Sequence, residues 1–387
     1  MTEVTGFATI GPTKKLLQTA RSTSTQLLGA VLNALTLLRD RWPQRRRLRA
    51  SLRGSPYREH TTMRLLIALA LAEAYTPPRD HLRITALHAK RPFVHVPYGQ
   101  DAPPGKTLAC DGRVKGATLD LSHWTDNTTP NDLYADTSTE IALNLARSQE
   151  YAEYDEATVV NNHFDVDGVL SAWAATDPEG ALPHFQLLCD AAACGDFGEW
   201  ASDEGVKLCY AVAALETDDD DGGYASALSK LPSIVENLDA YEDLWGPGFA
   251  GICDDYDDMA EGFGSVEDGA GDVALVMEPP GRRARSPAVD RQLRELDLTP
   301  TRLLRASFFC GAWMYEYELV GHGWVKRLRD RRFAPPIDVD AVVSKLGKPW
   351  APGGRVGLCK ACRTAEAIPA EPQAVLELLL DADPGAS

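Results

Sequence analysis

The sequence predicts an α/β protein: a parallel or mixed sheet flanked by helices, with a smaller C-terminal α+β portion. Three observations predict it. Short β-branched or apolar runs such as Ala157–Asn161 and Val273–Met277 alternate with long helical patterns. Strands that alternate with helices pack as a sheet covered on its faces. At 387 residues the chain is too long for one small core, so two or three domains are expected. A composition of 44% hydrophobic and 25% charged residues excludes a disordered chain, a collagen-like fibre and a small disulfide scaffold. No apolar run reaches the roughly 18 residues of a spanning helix, so a soluble protein with no membrane-spanning segment is expected.

Residues 1–91 read as a basic extension, partly helical or disordered. Leu16–Leu38 and Leu65–Ala74 have helical patterns, and Arg45, Arg46, Arg47, Arg49 and Arg53 form a basic run between them. Residues 1–95 hold 16 Lys and Arg against 5 Asp and Glu, whereas residues 96–387 hold 23 against 51. The acidic body would repel a phosphate backbone. The basic extension has the charge to touch nucleic acid or anionic lipid.

An α/β domain is expected over residues 92–268. Phe93–Tyr98, Thr107–Asp111 and Thr118–Ser122 read as short strands separated by Gly and Pro turns. Pro130–Gln149 reads as a helix, Ala157–Asn161 as a strand, and Val169–Ala175 as the start of another helix. Leu182–Ala193, Asp203–Leu215 and Tyr224–Leu244 continue the helical pattern. The Gly/Asp-rich stretch Gly262–Gly271 marks a boundary. A smaller α+β domain follows over residues 269–368, with strands at Val273–Met277, Leu303–Phe309 and Met314–Val320. Gly281–Pro287 reads as a basic connection and Asp338–Leu346 as a helix. Residues 369–387 read as a tail with one weak helix and a frayed end.

Eight scattered cysteines show no disulfide framework, so reduced thiols and a cytoplasmic location are expected. Cys359 and Cys362 have the spacing of half a zinc site. Structural zinc takes four ligands, and the sequence has no second pair of that kind.

The sharpest local feature is Asn161-Asn162-His163-Phe164-Asp165-Val166-Asp167-Gly168, between an apolar strand and a helix. His163, Asp165 and Asp167 alternate, so extended backbone points all three to one side. One imidazole and two carboxylates facing a common space can share a divalent ion. In α/β sheets such ligands sit outside the carboxyl ends of strands, and the following helix N-terminus favours an anion. Metal ligands beside such a helix end suit phosphoryl chemistry. The same letters are also turn chemistry, with Asp167 as a helix cap. His123 ends the strand Thr118–Ser122 and reaches the same space if that strand neighbours Ala157–Asn161. Asp111, at another strand end, is a similar candidate. Asp136 reads as a cap or support for a helix turn.

The segment His163–Gly168 resembles the first motif of the DHH phosphoesterase superfamily. More closely, residues from about 92 to 350 resemble an uncharacterised bacterial protein family. The landmarks are Leu121–Trp124, Asp136–Thr139, Asn161–Gly168 and Gly195–Phe197. The DHH resemblance implies a domain in which His163, Asp165 and Asp167 ligate manganese or magnesium. Asp190 or Asp196 would supply a further carboxylate. It implies hydrolysis of a phosphodiester or phosphoanhydride by metal-activated water, with Asp165 and Asp167 in the catalytic set; His123, placed at the same edge by its strand and not by the resemblance, is read as a further catalytic residue. The substrate would be a small phosphorylated molecule or a short nucleotide. Histidine among the ligands favours Mn²⁺ over Mg²⁺. The D-H-H triplet that names the superfamily and its glycine-rich G-G-G-H motif are missing. Two other readings follow. Phe164–Leu170 also resembles the first motif of haloacid-dehalogenase-type phosphatases, with Asp165 as nucleophile. A metal- or nucleotide-binding module without catalysis is the third.

Overall fold

The computed structural model describes residues 90–219, 221–320, 325, 328–333, 335–353 and 361–386. The helical patterns and basic run of the extension lie outside the described residues, as do Cys359 and part of Trp324–Arg332.

The first sheet has four parallel strands: β1 (Phe93–His95), β2 (Thr107–Cys110), β3 (Leu119–Leu121) and β4 (Thr158–Asn161). Their spatial order is β1-β4-β2-β3. Leu108 pairs with Val159 on one side and Leu119 on the other. The strand β2 is buried along its whole length, as a parallel strand covered on both faces should be. Insertion of β2 between β4 and β3 brings the carboxyl ends of all three to one edge.

Helices cover this sheet: α1 (Ser138–Arg147), α2 (Val166–Thr176), α3 (Phe185–Phe197), α4 (Asp203–Ala213), α5 (Tyr224–Glu236) and α6 (Glu242–Ala260). The first starts later than the sequence predicts, because Thr137 is its N-cap and residues from Pro130 form turns. The second starts earlier, because Asp165 caps it. All of α2 is buried, and Trp173 is among the largest fully buried side chains. The stretch expected as one helix over Tyr224–Leu244 breaks at Asn237. Its second part runs on to Ala260, held by buried Trp245, Ile252 and Met259. Gly246, Pro247 and Gly248 look like helix breakers and hide this in the sequence.

The second sheet is mixed and has the order β5-β6-β7-β8-β10-β9. Its strands are β5 (Ser265–Asp268), β6 (Val273–Met277), β7 (Arg302–Phe309), β8 (Ala312–Leu319), β9 (Trp350–Pro352) and β10 (Ala361–Thr364). The only parallel pair among these described strands, β6 and β7, is joined through α7 (Ser286–Glu295). The sequence reading missed β5 in its Gly/Asp-rich surroundings, and α7, which begins with a Pro in its first turn. Alternation along β6 separates two cores: Ala274 and Val276 join the core of the first sheet, and Val273 and Leu275 face the other way. That second core is closed by α8 (Val339–Leu346) and α9 (Pro372–Ala382).

Residues 369–387 are therefore no frayed tail over their described part. Val375, Leu376 and Leu379 of α9 are buried. Just beyond it, Asp383 accepts from Arg302 Nε at 2.6 Å and from the Tyr317 hydroxyl at 2.8 Å. Among the described residues, no helix is long and apolar enough to cross a membrane.

Candidate metal centre

The loops leaving β2, β3 and β4 carry the titratable residues of the first sheet's edge. Asp111 follows β2 with a φ of 58°, a left-handed conformation that is rare outside glycine. Strain of that kind costs on the order of 1–3 kcal/mol and persists where its surroundings impose it. Here the Asp111 N–H donates to Leu121 O, and its Oδ1 accepts from Ser138 Oγ at 2.8 Å and Trp124 Nε1 at 3.3 Å. His123 follows β3 and His163 follows β4.

Asp111 stands between the two imidazoles. Its Oδ2 is 2.9 Å from His163 Nε2 and its Oδ1 is 3.4 Å from His123 Nε2. Two ligand groups result, and both contain Asp111: the inner one adds His123 and Asp167, and the outer one adds His163 and Asp165. The inner group is fully buried, whereas Asp165 and His163 are partly open. Asp196, near the end of α3, brings its Oδ2 to 3.3 Å from His123 Nε2.

Each imidazole is held through its other nitrogen. His123 Nδ1 lies 2.5 Å from the Asp136 carbonyl, which can only accept, so Nδ1 carries the proton. His163 Nδ1 lies 2.9 Å from Asn162 Oδ1. Both Nε2 atoms are thereby directed toward carboxylates. Buried His123 Nε2 makes no hydrogen bond of good geometry, although three carboxylate oxygens lie 3.3 to 3.8 Å away. A buried imidazole nitrogen set among carboxylates, with its far nitrogen anchored, can serve in the donor set of a cation site once it gives up its proton.

Electrostatics agree. Burial alone would raise the Asp111 carboxyl, but the two imidazoles beside it hold it well below the usual carboxylate range. Burial alone would lower both histidines. Asp111, Asp196 and Asp167 instead push His123 up to about 10, and Asp111 and Asp165 push His163 up to about 11. Burial and the Asp111 charge raise Asp167 to about 6, and burial and Asp167 raise Asp196. The cluster has more negative charge than its two imidazoles balance, and it holds protons where a cation would relieve the repulsion.

The helix caps are divided among these carboxylates. Asp165, not Asp167, caps its own helix: Oδ1 accepts from Gly168 N at 2.7 Å, and Oδ2 faces His163 at 3.1 Å. Asp167 crosses to α1 and accepts from Ser138 N at 2.7 Å and Thr139 N at 2.8 Å. The anion expected at the helix N-terminus is therefore the protein's own carboxylate in both helices.

Of the residues named from sequence, His123, His163, Asp165, Asp167 and Asp196 come together. Asp190 does not. It accepts from Ser202 Oγ at 2.6 Å and Gln186 Nε2 at 2.7 Å, supporting the cap of α4. Asp111 proves central; its signal was an Asp-Gly step at the end of an apolar strand. Asp136 supports His123 through its carbonyl, while its carboxylate accepts from the backbone N–H groups of Arg329 and Asp330 and from Arg331 Nη1. Nothing in the sequence signals that long-range contact.

No curated protein matches the chain. Among solved structures it is similar to PggH, a pGpG-specific phosphodiesterase from Vibrio cholerae, with a TM-score of 0.34 and 10% identity. That alignment covers 71% of this chain and 84% of the other. Residues 91–350, which carry the whole cluster, match a family of unknown function, DUF6687, and the chain belongs to that family.

Proposed function

We propose that this centre holds two divalent cations sharing Asp111, and that the protein hydrolyses a phosphodiester or phosphoanhydride. The observation that carries the reading is the position of Asp111, one carboxylate oxygen toward each imidazole. His123 and Asp167 would complete the inner position, with Asp196 beside it, and His163 and Asp165 the outer one. Bound divalent ions lower the pKa of water and polarise a phosphoryl oxygen. The residues supply the frame. Asp136 and Asn162 orient the imidazoles, backbone N–H groups of α1 fix Asp167, and Gly168 N fixes Asp165.

The partial exposure of the outer group leaves it as the side a substrate reaches. Two imidazoles among carboxylates favour Mn²⁺ over Mg²⁺. The reading extends to a small phosphorylated or nucleotide substrate and to a cytoplasmic setting, which suits the free thiols of the described cysteines. The DHH-like label belongs to this proposal as well. Asp111 and His123, from strands that precede the H-x-D-x-D motif, would take over the ligand roles of the missing D-H-H. A phospho-aspartate route through Asp165 is disfavoured, because both of its oxygens are engaged.

The test is turnover of a panel containing pyrophosphate, dinucleotides and phosphomonoesters, with Mn²⁺ or Mg²⁺ present. Mn²⁺-dependent release of phosphate or nucleotide, without a phospho-protein adduct, is expected. Two bound ions and no hydrolysis of any substrate would overturn the enzymatic part and leave a binding module. A trapped adduct on Asp165 would turn the mechanism to the dehalogenase type.

A further inference from the structure

The two imidazoles are oriented by different means. His123 leans on a main-chain carbonyl, that of Asp136. His163 leans on a side chain, that of Asn162. The Asn162 amide can be read without ambiguity. Its Nδ2 donates to the Arg113 carbonyl at 2.7 Å, so Oδ1 is the end that faces His163 Nδ1 at 2.9 Å. An amide turned the other way would set oxygen against the carbonyl and an NH₂ against the ring N–H. The contact to Arg113 also fixes which nitrogen of His163 keeps its proton when the other gives one up to a cation. Nδ1 donates, and Nε2 is left facing Asp111 Oδ2 at 2.9 Å and Asp165 Oδ2 at 3.1 Å.

The same amide joins the loop after β2 to the loop after β4. Its neighbour Asn161 reinforces the join: Oδ1 accepts from Gly112 N at 3.3 Å and from Asn162 N at 2.6 Å, and Nδ2 donates to the buried Tyr224 hydroxyl at 2.6 Å. Gly112, between Asp111 and Arg113, has no room for a side chain. A Cβ there would lie 2.2 Å from Asn162 Oδ1 and 2.5 Å from Asn161 Oδ1. The loops are thus pressed together at the point where Asp111 and His163 meet.

We infer that Asn162 is the positioning residue of the outer cation position, holding His163 in the tautomer that presents Nε2 and locking it against Asp111. The inference rests on the two-cation reading above and deepens it: the outer position depends on one replaceable side chain, and the inner position does not. Loss of such a supporting partner typically weakens metal binding roughly 10- to 100-fold.

The test compares the wild type, Asn162→Ala and Asn162→Asp as full chains. Mn²⁺ binding is followed by calorimetry, and Co²⁺ absorption reports the ligand field. The expected result for Asn162→Ala is an unchanged tight equivalent, a second equivalent weakened roughly 10- to 100-fold, and an altered Co²⁺ spectrum for that second ion. Asn162→Asp retains an acceptor for Nδ1 but loses the donor to the Arg113 carbonyl, so it should recover part of the lost affinity. Equal binding in wild type and Asn162→Ala overturns the inference and leaves the two-cation reading standing. Equal loss in both variants also overturns it, because the role would then be loop structure rather than the acceptor. A wild type that takes up no Mn²⁺ overturns the two-cation reading and this inference together.

Discussion

Asp111 Oδ2 lies 2.9 Å from His163 Nε2, although the two residues leave different strands, β2 and β4. The contact makes Asp111 the common member of both ligand groups. Asp111→Ala should therefore abolish both Mn²⁺ equivalents, whereas Asp165→Ala should remove only the outer one. Metal content after dialysis against Mn²⁺ measures this directly. An Asp111→Ala protein that keeps a full equivalent would refute the sharing.

Metal affinity should rise with pH. His123 and His163, pushed up to about 10 and 11, both carry a proton on Nε2 at neutral pH. A cation binds only the unprotonated nitrogen, so binding must expel protons. The sign follows: raising pH from about 6 to about 8 lowers the cost of that expulsion and tightens binding. Calorimetry in buffers of different ionisation enthalpy counts the protons released. Affinity independent of pH, with no proton release, would exclude the imidazoles as ligands.

The buried pair Arg302–Asp383 should make the C-terminal segment essential to stability. Both side chains are at most 5% exposed, and their atoms approach to 2.6 Å. Removing one partner of such a pair leaves a buried charge uncompensated, at a cost of about 3–5 kcal/mol. Asp383→Ala should lose about that much in urea unfolding, and Arg302→Met with Asp383→Leu should lose less. A loss under about 1 kcal/mol for the single variant would contradict the packing.

Asp190 and Asp196 separate support from ligation. Asp196→Asn should weaken the inner cation, since Asp196 Oδ2 faces His123. Asp190→Ala should leave both cations in place and cost about 1 kcal/mol of stability through Ser202, the α4 cap it supports. Paired metal titrations and thermal unfolding of the two variants check the assignment. Metal loss on Asp190→Ala would reverse it.

Local sequence determined the α/β class and marked the place of the candidate centre. Apolar runs marked β2, β3, β4 and β6 to within a residue or two. The strand-to-helix junction drew attention to His163, Asp165 and Asp167, but the expected extended alternation ends at Asp165: Asp167 lies in the helix and joins a different ligand group from the other two. These signals are legible because side-chain period and turn chemistry act within a few neighbouring residues. Only the tertiary structure decided what completes the centre. The order β1-β4-β2-β3 sets Asp111 and His123 beside the motif, and no spacing along the chain encodes which strands become neighbours. It also decided between Asp190 and Asp196, six positions apart on α3. At about 100° per residue they point in different directions, and only the packing of α3 shows which one faces His123. The last segment reads as one weak helix and a frayed end because that helix is short and weak in isolation. It folds because the second sheet offers a face for Val375, Leu376 and Leu379 and a buried partner for Asp383. Helical stability in a protein comes mainly from such packing, which no local window of sequence contains.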